Sequence, residues 1–198
     1  MRDPIRSGLI LTSGQIQAIR IPGTGSRIPT VKILLIRLRL IGDVVFTTPL
    51  IRALKRTFPD AHLTYLVEPQ ALPVVRENPH LGEVIVAPRR SGLGRIADDL
   101  RLAGRLRRER YDIAIDLHGG PRSAWLAWLS RAPVRIGYEI PGRTWMYTRA
   151  VPRPRTLRRR HSVVSQWDLL EAIEGWPEGA PSAARDAVEM PIDAEADA

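Results

Sequence analysis

The stretch 32–58, KILLIRLRLIGDVVFTTPLIRALKRTF, constrains the fold more than any other part of the chain. It opens on four apolar residues, Ile33-Leu34-Leu35-Ile36, too few for a helix core and bounded by charge. Such a run reads as a strand buried on both faces, as in a parallel sheet. The chain then turns at Gly42-Asp43 and enters a helix. There Leu50, Leu54 and Phe58 recur at four-residue spacing, widened by Ile51 and Ala53, so one side faces a sheet. Thr48-Pro49 has the form of an N-cap followed by proline at the first helical position, which predicts a helix from Pro49 and an irregular turn over residues 43–47. Strand, glycine turn and helix place Asp43 at the carboxyl end of a first strand, where open α/β sheets hold their ligands.

The pattern then repeats. Strands are predicted over residues 62–67, 83–86, 111–117 and 134–138, a short helix broken by Pro73 over 70–77, and helices over 93–110, 122–130 and 161–174. In the helix 93–110, Leu93, Ile96, Leu100, Ala103 and Leu106 form the face expected to pack. The other face, with Arg95, Asp98, Arg101, Arg105 and Arg108, reads as solvated. The Pro- and Arg-rich segment 141–160 reads as a connection. Alternating strands and helices imply an α/β fold, a single Rossmann-like, doubly wound parallel sheet of order 3-2-1-4-5. Its crevice, between strands one and four, would bring Asp43 near His118, Gly119, Gly120 and Arg122. Residues 31–175 are expected to form this domain, after a flexible extension over 1–30. Residues 176–198 read as a linker or the truncated start of a second domain, with a stray strand over 188–192.

Each candidate residue has two readings. Asp43 can cap a helix N-terminus or serve as a general base. Gly119-Gly120 permits close approach of a ligand or simply makes a turn. His118 is a site residue or an ordinary polar loop residue. Arg37, Arg39, Arg122, Arg135 and Arg143 are able to bind phosphate or carboxylate groups, against the solvated role that is any arginine's default. His161 caps or packs the last helix, or touches substrate. Trp125, Trp128 and Trp167 fit apolar helix faces and read as core.

RLRLIGDVVFTTPLIRALKRTFP resembles the opening motif of glycosyltransferase family 9, the lipopolysaccharide heptosyltransferases. The likeness continues through YDIAIDLHGGPRSAWLAWLSRAPVRIGYE and a last helix opening His161-Ser162-Val163. The resemblance implies the N-terminal, acceptor-binding half of a GT-B architecture, with Asp43 of the Gly42-Asp43 turn as catalytic base. It further implies inverting, metal-independent transfer of heptose from an ADP-heptose donor to a lipopolysaccharide-type glycolipid, without a cofactor. The donor-binding C-terminal half is not expected within these residues, so the chain alone is expected to be inactive. Cytoplasmic location, with peripheral contact to the inner membrane, is also implied. The alternative is a non-catalytic Rossmann-like module that docks an anionic glycolipid or a partner protein.

Composition narrows the classes. The formal charge of +9 favours polyanionic partners, and all but Lys32 and Lys55 of the 30 Lys and Arg are arginine. No nucleic-acid recognition motif accompanies the arginines, so no specific nucleic-acid partner is expected. With no cysteine, disulfides and thiolate metal sites are excluded. A G-x-G-x-x-G turn after strand one, a P-loop, an Asp-x-Asp pair and a histidine cluster are all missing from the sequence, which disfavours dehydrogenase, P-loop NTPase and metal-site readings.

Overall fold

The apolar runs pair as parallel strands. The computed structural model describes residues 30–89, 92–153, 162–177 and 179–188. Its strands are β1 (Lys32–Ile36), β2 (His62–Val67), β3 (Glu83–Val86), β4 (Ile113–Asp116), β5 (Val134–Tyr138) and β6 (Arg149–Val151), in the sheet order β3-β2-β1-β4-β5-β6. All five pairings are parallel. The helices are α1 (Ile41–Val45), α2 (Thr48–Thr57), α3 (Leu72–Val75), α4 (Gly92–Glu109), α5 (Pro121–Leu129) and α6 (Ser162–Glu171).

Alternation along each strand sends side chains to two layers. Ile33, Leu35 and Tyr65 join Leu50, Leu54, Trp167 and Leu170 on one face of the sheet. Leu34, Ile36 and Leu66 join Leu102, Leu106, Leu126 and Ala127 on the other. Both faces of the sheet are therefore covered, which is why its strands read as continuous apolar runs rather than alternating ones.

The structure departs from the sequence expectations at several points. A sixth strand, β6, lies within the supposed connection 141–160 and pairs with β5 through Gly137↔Ala150 and Tyr138↔Val151. The segment before α2 is a short helix of its own, α1, with Asp43 in its first turn. Thr48 is the first residue of α2 rather than its cap. Thr47 and Thr48 turn their hydroxyls back to the carbonyls of Val44 (2.6 Å) and Val45 (2.9 Å), joining the two helices. Among the described side chains of α4 the buried positions are Asp98, Leu102, Ala103 and Leu106, so Asp98 is not on a solvated face. Ile96 and Leu100 are exposed, and the Leu93 side chain lies outside the described residues. Trp167 is core as expected, but Trp125 and Trp128 are not.

Past α6 the chain returns to the domain rather than leaving it. The Trp167 indole donates to the Gly179 carbonyl at 2.8 Å, Arg56 pairs with Asp186 at 3.2 Å, and Arg52 donates to the Ala187 carbonyl at 2.6 Å. The expected extension falls outside the described residues apart from residue 30, as do His161 and, beyond Val188, the expected strand 188–192.

Candidate active site at the switch point

The order β2-β1-β4-β5 makes β1 and β4 the central pair, and the connections on either side of it run in opposite directions. Their carboxyl ends are in register, Ile36 opposite Asp116. One ladder bond continues past the strands, from the Leu117 N–H to the Ile36 carbonyl at 3.0 Å. The loop 37–40 and α1 therefore leave the sheet beside the loop 117–120 and α5.

Arg37 joins the two exits. Its guanidinium forms an ion pair with Oδ2 of Asp43 and donates from Nη1 to the Leu117 carbonyl. The Arg37 side chain is 12% exposed and that of Asp43 30%, so the carboxylate is held by a mostly buried cation and is itself partly open to solvent. Among the described residues Oδ1 of Asp43 has no hydrogen-bond donor, which leaves one carboxylate oxygen uncommitted on a partly exposed side chain.

The opposite wall is built on Asp116, whose side chain is fully buried. Its carboxylate accepts the N–H groups of His118 and Gly119, both at 2.9 Å, the Ser123 hydroxyl at 3.0 Å and the Tyr147 hydroxyl at 2.6 Å. All four partners are donors, as an ionised acceptor requires. Burial pushes the Asp116 pKa up, and these four bonds oppose it. The same burial, with Asp116 beside it, raises the Tyr147 phenol, which stays the donor. Tyr147 reaches Asp116 by lying over Gly137, where an added Cβ would stand 2.4 Å from its ring.

This frame shapes the glycine loop. Gly119 has φ +68°, a conformation that favours glycine. A Cβ on Gly120 would come within 2.6 Å of the His118 ring. The Gly120 N–H donates to the Ser123 hydroxyl at 3.0 Å, fixing the start of α5. His118 Nδ1 is buried with no hydrogen-bond partner among the described residues. Its pKa is lowered by burial first and then by the Arg37 charge, so the imidazole is neutral at pH 7.

The structure brings Arg37, Asp43, His118, Gly119 and Gly120 together at one edge. Arg143 joins them, with Nη2 3.4 Å from the Gly119 carbonyl and a buried Nε that has no partner among the described residues. Arg39 is exposed on the same side, and its charge reaches His118. Gly42 is exposed with open space around it, so sterics do not demand a glycine there.

Arg122 is engaged elsewhere. It is tied to Glu68 at 3.0 Å, to Asp99 at 2.6 Å and to the Pro88 carbonyl at 2.7 Å, where it braces loops instead of facing the cleft. Arg135 is not at this edge. It lies three residues before the end of β5, roughly 10 Å back along the strand, and donates to the Met146 and Ala132 carbonyls.

Sequence reasoning missed Asp116, Tyr147 and Arg153. Arg153 sits over the Tyr138 ring at 5.5 Å, at the end of β5. For Asp116 a signal existed: one carboxylate closing an otherwise apolar strand just before Gly-Gly. Nothing local marked Tyr147 or Arg153.

A doubly wound, all-parallel sheet with a polar cleft at its β1/β4 switch point defines this as a Rossmann-like domain, the half of a GT-B architecture. The profile of glycosyltransferase family 9 (heptosyltransferase) matches residues 100–193, taking in β4, the glycine loop and α5 but not Asp43. Lipopolysaccharide heptosyltransferase 3 of Escherichia coli is 31% identical over 104 residues, 52% of this chain and 31% of that protein. Lipopolysaccharide heptosyltransferase 2 of Salmonella typhimurium is 31% identical over 108 residues, 54% of this chain and 31% of that protein. The solved family 9 glycosyl transferase from Veillonella parvula superposes with a TM-score of 0.71 at 24% identity, covering 87% of this chain and 48% of that one. The E. coli heptosyltransferase WaaC with ADP gives a TM-score of 0.62 at 20% identity, covering 73% and 48%. The chain is thus similar to glycosyltransferase family 9 over part of its length, and to solved members of that family in fold. It spans about a third of the curated relatives and about half of the solved ones.

Proposed function

We propose that this chain is the acceptor-binding, base-bearing half of an inverting glycosyltransferase that moves heptose from ADP-heptose to a lipopolysaccharide-type acceptor. The observation that carries the reading is the Asp43 carboxylate, anchored by Arg37 through one oxygen and uncommitted among the described residues at the other. Asp43 takes the proton of the acceptor hydroxyl as its oxygen forms a bond to the anomeric carbon. The bond from that carbon to the ADP oxygen breaks on the opposite face, so the configuration inverts and ADP leaves with the electron pair. The step uses neither metal nor cofactor. Arg39 and Arg143 supply charge for anionic groups of the acceptor, and Gly119-Gly120 lets it approach the backbone. Donor and acceptor must be held in line, so the 198-residue chain is inactive until a donor-binding half faces it. The acceptor is lipid-borne, which puts the working enzyme on the cytoplasmic side of the inner membrane in peripheral contact.

The test joins this domain to the donor-binding half of a family member and compares Asp43→Asn with the parent. Asparagine keeps the shape and caps a helix equally well but takes no proton. Turnover is expected to fall ~10²–10⁴-fold with little change in thermal stability. Retained turnover makes Asp43 structural, whereas absence of turnover in the joined parent favours the binding-module reading.

A further inference from the structure

On the outer side of α4 and α5, large apolar side chains lie uncovered by any described residue. Trp125 is 46% exposed, Trp128 37%, Trp145 58% and Leu100 63%. The three indoles form one cluster, with centroids 5.4, 6.2 and 5.7 Å apart in edge-on contacts. They are not overflow from the core: the same two helices turn Leu102, Leu106, Leu126 and Ala127 inward to the sheet. A groove of about 560 Å³ runs beside Trp128, bordered by Leu100, Arg107 and Arg131.

Arg107 and Arg131 are exposed, and among the described residues neither has an ion-pair partner. The carboxylates of α4 are occupied elsewhere, Asp98 by Arg101, Asp99 by Arg122 and Glu109 by Lys32. An aromatic centre thus carries a rim of uncompensated positive charge.

We propose that this face docks on an anionic lipid surface. Tryptophan settles at the boundary of headgroup and acyl chain, where its ring is apolar and its N–H finds an oxygen. Arginine lays its stem along apolar surface and pairs with lipid phosphates. A second copy of the chain fits less well, because a two-fold contact would set one basic-rimmed face against another of the same charge. A donor-binding half would face the carboxyl edge of the sheet, whereas Trp128 and Arg131 lie at the turn leading into the amino end of β5. The proposal rests on the lipid-borne acceptor of the transfer reading for its purpose but uses none of that reading's residues.

The experiment mixes the 198-residue chain with vesicles of phosphatidylglycerol and phosphatidylcholine, or of phosphatidylcholine alone, and measures co-sedimentation. Binding is expected to the mixed vesicles, with salt weakening it. Arg107→Gln and Arg131→Gln should each lower partitioning about fivefold, and joint replacement of Trp125, Trp128 and Trp145 by alanine at least about tenfold. Melting curves check that these exposed-site variants remain folded. Asp43→Asn should bind like the parent, so a failure of the transfer reading and a failure of this one are told apart. Absence of binding to the mixed vesicles overturns the proposal, as does equal binding by the folded triple variant. Self-association abolished by the tryptophan substitutions, without vesicle binding, assigns the face to a dimer instead.

Discussion

Two carboxylates flank the switch point, and their surroundings are opposite. Asp116 is fully buried and meets four donors, so its bonding capacity is spent on shaping the glycine loop. Asp43 is part-exposed, paired among the described residues to Arg37 alone, and keeps one oxygen uncommitted. A buried carboxylate with complete partners builds a frame; an anchored carboxylate with an open oxygen is placed to act. Position at a strand end does not distinguish these roles, but the partner count does.

Parallel substitution tests the contrast most severely. Asp116→Ala should cost about 3–5 kcal/mol, because it strands buried donors around the vacated site. Asp43→Ala should cost under about 1 kcal/mol. Denaturant midpoints measured side by side decide it, and equal losses would erase the distinction.

Tyr147→Phe sharpens the frame side. It removes one of the four donors while keeping the ring over Gly137, so a loss of about 1.5–3 kcal/mol is expected for a bond to a charged acceptor. A neutral result would mean the remaining three donors satisfy Asp116 unaided.

The smallest effect concerns His118, which faces Arg37, Asp116, Arg39 and Asp43. Its folded pKa lies below the unfolded value, near 6.5. Between the two the unfolded chain binds a proton that the folded chain does not, so stability falls as pH drops through about 6.5. His118→Gln should flatten this part of the stability–pH curve, measured as the difference in melting temperature between the variant and the parent at each pH. An unchanged slope would place the titration on another histidine.

The strand order and the crevice were legible because each central strand is an apolar run between charges or turn residues. Arg149-Ala150-Val151 offered no such run: all three are half-buried at the sheet's edge, and β6 went unread. The outer face of α4 misled for a different reason. Ile96 and Leu100 have helical spacing, but spacing states only that apolar residues share a side, not what covers it. The arginines were the least legible, since a side chain that long is placed by its partners. Arg122 is turned to Glu68 and Asp99 by residues 54 and 23 positions away in sequence. Asp43 and the His118–Gly120 loop came together as expected because topology alone sets their distance.

The contact between Arg37 and the Leu117 carbonyl spans 80 residues of sequence. It has a consequence in time. Until β4 docks on β1, the Arg37 guanidinium that pairs with Asp43 lacks its brace on the Leu117 carbonyl, and closing a loop of that length carries an entropic cost that local helix formation does not. Arg37, and through it the carboxylate, is therefore fully braced only once the two central strands have paired. Partial unfolding reverses the order: separation of β4 from β1 releases the cleft while the amino-terminal strand–helix unit still stands.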